Sequence, residues 1–466
     1  MPFLYEQLEQ QLHQQIESGQ LAHGSRLPSV RVLCAEHQLS KSTVLTAYAR
    51  LEAAGLIEAR PKSGYFVCRQ SIPLKLPRES QPDMQPAFIT VDRLLLDIME
   101  QSAAFDIRPG ASQLEFSEPL RRCLARAARG QTGQEQHYYD EPAGLIGLRQ
   151  QLVRRCADGG SQIGTDEIVV TGGCQHSLLL ALMAVTESGD TVAVESPGFY
   201  GVLQLIESLG LKAVEVPSSP TTGVSPDALE LAMQHWPIKA VVLTPNYATP
   251  TGACMPEMHK QRILKLIQAH NVALIEDDIY ADLTFSLQRP RTLHSYDREN
   301  GNSGSVILCS SFSKSLSRDL RIGWIVPGRF MASVKKLKLV TQLASSRTSQ
   351  KAVQMFLQEG GYDRFLRKRR QQLSQQCRQL QLLISELFPQ ATGCSQPEGG
   401  IALWLELPES VDTLALYNRA RMQGISITPG SLFTSQSRYN NCLRLSFAHP
   451  WTQERVAALT QLSELL

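Results

Sequence analysis

The chain has 466 residues, too many for one ordinary hydrophobic core, so two or three domains are expected. A hydrophobic fraction of 42% and a charged fraction of 19% describe a soluble globular protein and exclude disordered and fibrous classes. A formal net charge of only +2 excludes recognition of polyanions by bulk basicity, so any such contact rests on a local patch.

The opening residues, MPFLYEQLEQQLHQQIESGQ, have no basic start followed by an apolar run, so no secretory signal is expected. No stretch approaches the roughly 18 apolar residues that span a bilayer, so no membrane role is expected. Residues 3–18 instead place Leu4, Leu8, Leu12 and Ile16 on one stripe, predicting a helix that stops at Gly19. A short helix is expected from about Ser29, with Val30, Leu33 and Cys34 inward. Ser40, a good N-cap, opens a third helix carrying Val44, Ala47, Tyr48 and Leu51 at i, i+3, i+4 and i+7, and Gly55 ends it. The run LIEARPKSGYFV then predicts two short strands around a Pro-Lys-Ser-Gly turn.

Three helices and a hairpin in this order predict an α+β winged helix-turn-helix over residues 1–68. With the inward face of the third helix assigned, Lys41, Ser42, Thr43 and Thr46 face outward near its first turns, where such helices enter a major groove. Arg26, Arg31 and Lys62 put charge at the start of helix 2 and at the wing tip, where backbone contacts fall. Charge alone leaves a protein-interaction module open, and the pattern decides. The runs GSRLPSVR (24–31), S-x-S-T-V (40–44), LEAAGLI (51–57) and SGYFV (63–67) resemble the GntR-family DNA-binding domain. That resemblance implies a double-stranded DNA operator, contacted through Arg31, Lys41, Ser42, Thr43 and Gly64. Leu45 stands where some relatives carry an arginine, so base preference does not transfer.

Residues 69–93, with Pro73, Pro77, Pro82 and Pro86 and little apolar periodicity, read as an extended, semi-stiff linker. Beyond it, over 94–466, short apolar runs alternate with helical patterns, predicting an α/β domain with a large part at about 120–330 and a C-terminal small part at about 340–466. Ten cysteines scattered from Cys34 to Cys442 show no zinc or disulfide spacing, so no metal is expected and a reducing cytoplasm fits.

Five apolar runs in this domain end in polar residues. EIVV precedes Thr171-Gly172-Gly173-Cys174-Gln175, TVAVE precedes Ser196-Pro197-Gly198-Phe199, and AVVL precedes Thr244-Pro245-Asn246. VALIE precedes Asp277-Asp278-Ile279-Tyr280, and SVILC precedes Ser310-Ser311-Phe312-Ser313-Lys314. Ligands bind outside the carboxyl ends of strands in open α/β sheets, so these tips are expected to converge. Glycines before a helix let amides approach a phosphate, and an aromatic such as Phe199 can stack on a flat ring. A buried aspartate can keep a pyridine nitrogen protonated, and a lysine can form a Schiff base with an aldehyde. Singly these signals are weak: Asp277-Asp278 is more often a solvated strand end, and Arg444 more often a surface ion pair.

In order, however, the motifs resemble the aminotransferase class I/II group of fold type I enzymes, which bind pyridoxal 5′-phosphate (PLP). They are YDEPAG (139–144) with Leu148-Arg149, TGGCQ (171–175), ESPGF (195–199), PTG (250–252), EDDIY (276–280), SSFSK (310–314), LRIGW (320–324), GGIALW (399–404) and LRLSF (443–447). The resemblance implies Lys314 as the Schiff-base lysine, Asp277 on the pyridine nitrogen, Tyr280 on the phenolic oxygen and Phe199 on the ring. It places the phosphate among Gly173, Cys174, Gln175, Ser311, Ser313 and Arg321, with Tyr139 reaching in from a second subunit and Arg444 on an α-carboxylate. Thr249 stands beside the ring where the family commonly has asparagine. Arg318-Asp319 replaces the usual Pro-Gly, and GASQLEFS (110–117) replaces the substrate-side loop.

A GntR-type reader joined through a proline-rich linker to such a domain resembles the MocR subfamily of bacterial regulators. That implies a homodimer whose linker permits domain exchange, and a regulator in which an amino acid or amine at the PLP site alters DNA binding. The alternative reading is an active aminotransferase with an attached DNA-binding module.

Overall fold

The computed structural model describes residues 3–60, 63–68, 74–89, 106–109, 117–133, 137–286, 288–301 and 304–466. Lys62 at the expected wing tip, and residues 110–116 of the altered loop, lie outside these. The chain divides into two compact units, Met1–Leu74 with Ser374–Gln390, and Lys75–Leu373 with Ala391–Leu466.

In the first unit the apolar spacing produces α1 (Leu4–Glu17), α2 (Val30–Glu36) and α3 (Lys41–Ala53). Each of the last two starts at a serine whose hydroxyl accepts from an amide of the first turn: Ser29 from Val32 at 3.3 Å, and Ser40 from Thr43 at 3.1 Å. Val44, Ala47, Tyr48 and Leu51 of α3 are fully buried against Leu8, Leu12, Ile16 and Leu33. Leu4, expected on the same stripe, is 59% exposed, so the buried face of α1 begins one turn later. Strands β1 (Ile57–Arg60) and β2 (Gly64–Val67) pair antiparallel with Ile57 opposite Val67, and both of those side chains close the core.

The second unit holds a nine-stranded mixed sheet among the described residues. Its strands are β3 (Ala87–Phe88), β4 (Val169–Thr171), β5 (Thr191–Ser196), β6 (Lys212–Ser219), β7 (Gly223–Val224), β8 (Ile238–Leu243), β9 (Ala273–Asp277), β10 (Val306–Ser311) and β11 (Gly323–Val326). The order is β3-β6-β5-β8-β9-β10-β11-β4, with β7 on β6. The five apolar runs become β4, β5, β8, β9 and β10. Because β5, β9 and β10 are buried along their whole length, they read as continuous apolar stretches without alternation. Successive side chains serve opposite faces: Ile275 packs with Val192, Val194 and Ile307, whereas Leu274 packs with Val241, Ile263 and Leu293.

Strands β5, β6, β8, β9 and β10 run parallel, whereas β11 is antiparallel to both β10 and β4. That reversal turns β4 back into the direction of β10. Gly323 consequently lies opposite Ser311 on one side and Thr171 on the other, and Cys309 opposite Asp277. Three chemically loaded strand ends thus come level at one edge of the sheet.

Strands β12 (Gly393–Cys394), β13 (Ala402–Glu406), β14 (Thr428–Pro429) and β15 (Cys442–Ser446) form a second, antiparallel sheet in the order β12-β13-β15-β14. Residues 75–89, inside the proline-rich stretch, are hydrogen-bonded to this unit. Cys394 N donates to Lys75 O at 2.7 Å, Ser218 N donates to Ser80 Oγ at 2.7 Å, and β3 pairs with β6. Among the described residues no helix is long and apolar enough to cross a membrane.

Candidate functional site

At the level strand ends a cavity of about 110 Å³ opens, lined by Cys174, Gln175, Phe199, Thr249, Asp277, Ile279, Tyr280, Ser311, Ser313, Lys314 and Arg321. Of the residues the sequence assigned to one cofactor, all but Tyr139 and Gly173 line it.

Gly173 sits at its rim. The chain turns there at φ +107° to enter the Cys174–Val185 helix, a backbone conformation that glycine tolerates. A Cβ at Gly173 would lie 2.6 Å from Arg321 Nη2, and one at Gly323 would lie 2.6 Å from the Gly173 carbonyl carbon. The two glycines therefore let the helix start, the guanidinium and the sheet edge close on one another. Arg321 Nη2 donates to Gly172 O at 2.8 Å, and its Nη1 reaches Ser313 Oγ at 3.4 Å. Helix amides, two serine hydroxyls and a guanidinium make an anion-binding donor set.

Asp277 ends β9 and is buried. Burial raises its carboxyl to about 6, against hydrogen bonds from the Cys174 thiol at 3.1 Å and the Ile279 amide at 3.3 Å. Lys314 follows β10. Burial, then the positive charges of Arg318 and Arg444, push its amine well below the usual lysine range, and Asp277 pulls it back. Burial and like charge disfavour the ammonium form there, which favours the amine as a nucleophile. The Phe199 ring is accommodated by Gly201, where a Cβ would come within 2.5 Å of it, and Gln175 Nε2 donates to Gly201 O at 2.8 Å.

Arg444 lies outside the cavity lining, buried on β15. Its guanidinium donates to Thr428 Oγ1 at 3.3 Å and stands 5.5 Å from the Phe433 ring centroid, and its charge still bears on Lys314 and Tyr280. Tyr139 is 81% exposed and contributes nothing to the cavity in its own chain.

Behind the cavity lies a charged network that sequence reasoning missed. Arg289 is ion-paired with Asp278, and its Nε donates to Asp282 at 2.8 Å, while Arg155 also meets Asp282, at 3.1 Å. The Tyr362 hydroxyl bridges Asp282 (2.7 Å) and Ser315 (2.8 Å), next to Lys314. The second carboxylate of the Asp277-Asp278 pair was the only local signal; nothing around Arg289 marks it.

On the first unit, Arg26, Arg31, Lys41 and Ser42 are exposed and Thr43 is half-buried. Ser42 and Thr43 hydroxyls both contact Ser40 Oγ, at 2.7 and 2.8 Å. Gly64 adopts φ +104° beside Arg26, whose Nε would be 3.2 Å from a Cβ there. Side chains from α2, α3 and the hairpin are thus presented to solvent around the start of α3.

Residues 4–67 match the family of bacterial regulatory proteins of the gntR type, and residues 110–461 match aminotransferase class I and II. The chain is 39% identical over 465 residues to the uncharacterized HTH-type transcriptional regulator YjiR of Escherichia coli, covering 99% of this chain and 98% of that protein. The HTH-type transcriptional regulator NorG of Staphylococcus aureus is 25% identical over 91% of this chain and 95% of its own length. Among solved structures, the α-aminoadipate aminotransferase LysN of Thermus thermophilus, complexed with N-(5′-phosphopyridoxyl)-L-leucine, superposes with a TM-score of 0.73 at 25% identity, over 80% of this chain and 94% of that one. A kynurenine aminotransferase of Pyrococcus horikoshii shares the fold, with a TM-score of 0.71 at 24% identity over 80% and 93% of the two chains.

Proposed function

The chain belongs to the MocR subfamily of GntR-family transcriptional regulators, a helix-turn-helix reader joined to a class I and II aminotransferase domain, and we propose that it holds PLP at Lys314 and couples an amino acid or amine bound there to operator binding. The observation that carries this reading is the convergence of a depressed lysine amine, a buried carboxylate and an anion-binding donor set on one cavity. Those groups fit the cofactor's three ends. Lys314 suits its aldehyde carbon, Asp277 its ring nitrogen, and Cys174 and Gln175 amides with Ser311, Ser313 and Arg321 its phosphate. Tyr280 and Thr249 suit the ring oxygen, Phe199 the ring face, and Gly173 the close approach of backbone to phosphate.

When bound, the cofactor supplies an aldehyde that takes up primary amines and a ring that withdraws electrons. Asp277 holds a proton at the ring nitrogen, Lys314 Nζ offers its lone pair and can return a proton, and Arg444 orients a carboxylate. Tyr139, exposed in its own chain, completes the site of a second copy in a homodimer whose reader domains can be exchanged through the proline-rich stretch. For ligand to regulate DNA binding it must favour one of two conformations by a real free-energy difference.

The test follows the visible absorbance of the holoprotein, and its affinity for DNA selected from a random pool, while amino acids and amines are added. A spectral shift that stalls with one ligand and changes DNA affinity supports the sensor. Conversion to the pyridoxamine form with steady keto-acid release would instead favour the transaminase, and DNA affinity indifferent to every ligand removes the coupling.

Two variants probe the parts. Cys174→Ala removes the thiol that donates to Asp277, so the Asp277 carboxyl rises above about 6. Asp277 serves the ring nitrogen as carboxylate, hence the acid limb of PLP binding should move up by about half to one pH unit. An unmoved limb denies the thiol this influence. Arg31→Ala and Lys41→Ala should each lower the slope of log affinity against log salt by about 1, the mark of one lost phosphate contact. A slope equal to that of the wild type would take that residue off the DNA.

A further inference from the structure

Tyr138 and Tyr139 are 74% and 81% exposed, so two adjacent aromatic rings stand in water. The chain that follows them is held at every residue up to Leu145. Asp140 accepts from Arg347 Nη1 at 3.1 Å and from Gln350 Nε2 at 3.2 Å, both on the Arg347–Gln358 helix. Both Glu141 oxygens accept from Arg149 Nη2, at 2.8 Å each. The fully buried Lys338 donates to Pro142 O. Val170 N donates to Ala143 O at 2.9 Å, Arg149 Nε to Gly144 O at 2.9 Å, and Leu145 N to Gln350 Oε1 at 2.8 Å.

Asp140 is the first of these fixed points and the direct neighbour of Tyr139. Its side chain is almost enclosed, and Gln350 is fully buried. A carboxylate taken out of water is costly unless donors surround it, and in return its hydrogen bonds fix the backbone in one geometry. Leu339 and Val340, which follow Lys338, are exposed apolar residues next to this anchored segment, surface that association with a second copy would cover. An aromatic side chain carried on a fixed backbone loses less freedom on docking than one on a loose loop.

We propose that Asp140 is a positioning residue: held by Arg347 and Gln350, it fixes Tyr139 in place for the phosphate end of a second copy's Lys314 cavity. The inference rests on the reading of Tyr139 as completing the cavity of a second copy, and it adds the residue that holds Tyr139 there.

The full-length protein is incubated with PLP over a range of concentrations, and bound PLP is fixed on Lys314 by borohydride. Tyr139→Phe should raise the concentration for half-labelling about tenfold or more, the worth of one charge-assisted hydrogen bond. Asp140→Ala should raise it by a similar factor, and Asp140→Asn, which keeps an acceptor for one of the two donors, by less. In the variant carrying both Tyr139→Phe and Asp140→Ala the two effects should not add. Mixed dimers separate positioning from a merely structural role. A Lys314→Ala chain is co-expressed with an Asp140→Ala chain under a different tag, so that the one remaining Lys314 faces an unaltered Tyr139 from the other chain. Half-labelling there should return towards the wild-type value. A loss that stays with the Asp140→Ala chain overturns the proposal, as does an Asp140→Ala protein that binds PLP like the wild type. Arg347→Gln, which removes one donor from Asp140, puts the same question if Asp140→Ala does not fold. A Tyr139→Phe protein that binds PLP unchanged overturns both this inference and the reading of Tyr139, and leaves the assignment of Lys314 standing.

Discussion

Lys314→Ala protein is expected to emerge without covalently held cofactor, and borohydride treatment with PLP should fix no label on it. In the wild type the same treatment should place the label on the peptide that contains Lys314. The reason lies in the contrast among buried lysines. Lys314 lines the cavity beside Asp277, and burial and two arginines hold its amine well below the ordinary lysine range. Lys260 is buried, but its ammonium donates to Asn246 Oδ1 and Arg291 O, both at 2.7 Å, and it does not line that cavity. Lys338 donates to the Pro142 carbonyl. Of these three lysines, Lys314 alone lines that cavity, so the effect of its loss is all or none. Peptide mapping of the reduced protein checks this, and a label on Lys260 or Lys338 in the wild type would falsify the assignment. DNA binding by the variant, measured in the same preparation, then separates a cofactor needed for regulation from one that only stabilises the domain.

The second large effect is on stability. Arg289→Met should cost about 3–5 kcal/mol, because it leaves Asp278 and Asp282 buried without their shared cation. Burial alone would raise the Asp282 carboxyl, but Arg155 and Arg289 hold it well below the usual carboxylate range. A depressed carboxylate contributes stability that is fully present above its ordinary pKa of 3.8 and is lost as pH falls below that value. The gap between wild type and variant should therefore be widest near neutrality and narrow in acid. Urea unfolding at a series of pH values tests this; a pH-independent gap would point to lost packing rather than lost charge. Because Tyr362 links Asp282 to Ser315, the variant should also hold PLP more weakly. Asp278→Asn in the Arg289→Met background should recover part of the loss, since one stranded charge is removed.

Much of this was legible in local patterns. Ser40 followed by Val44, Ala47, Tyr48 and Leu51 specifies a capped helix with one buried face, because cap and periodicity act within a few residues of each other. The strand ends with Thr171, Asp277 and Lys314 could be read from apolar runs that stop at polar residues, since a strand buried on both faces is mostly apolar. Other strands escaped that test, β6 and β11 among them. β6 carries Lys212 and Glu215, and the short β11 follows a run of charged residues, so neither shows an uninterrupted apolar stretch.

What the sequence determined by itself, then, was the identity of the elements and the residue types at their ends, which depend on neighbours close in the chain. Only the tertiary structure decided which ends meet. The antiparallel β11 brings Thr171 level with Ser311, a pairing of segments far apart in sequence that no local signal encodes. It also decided that Leu4 stays in water, that Asp278 finds Arg289 and that Asp282 finds Arg155. Charge and burial are properties of a side chain's surroundings, and those surroundings are assembled from distant parts of the chain.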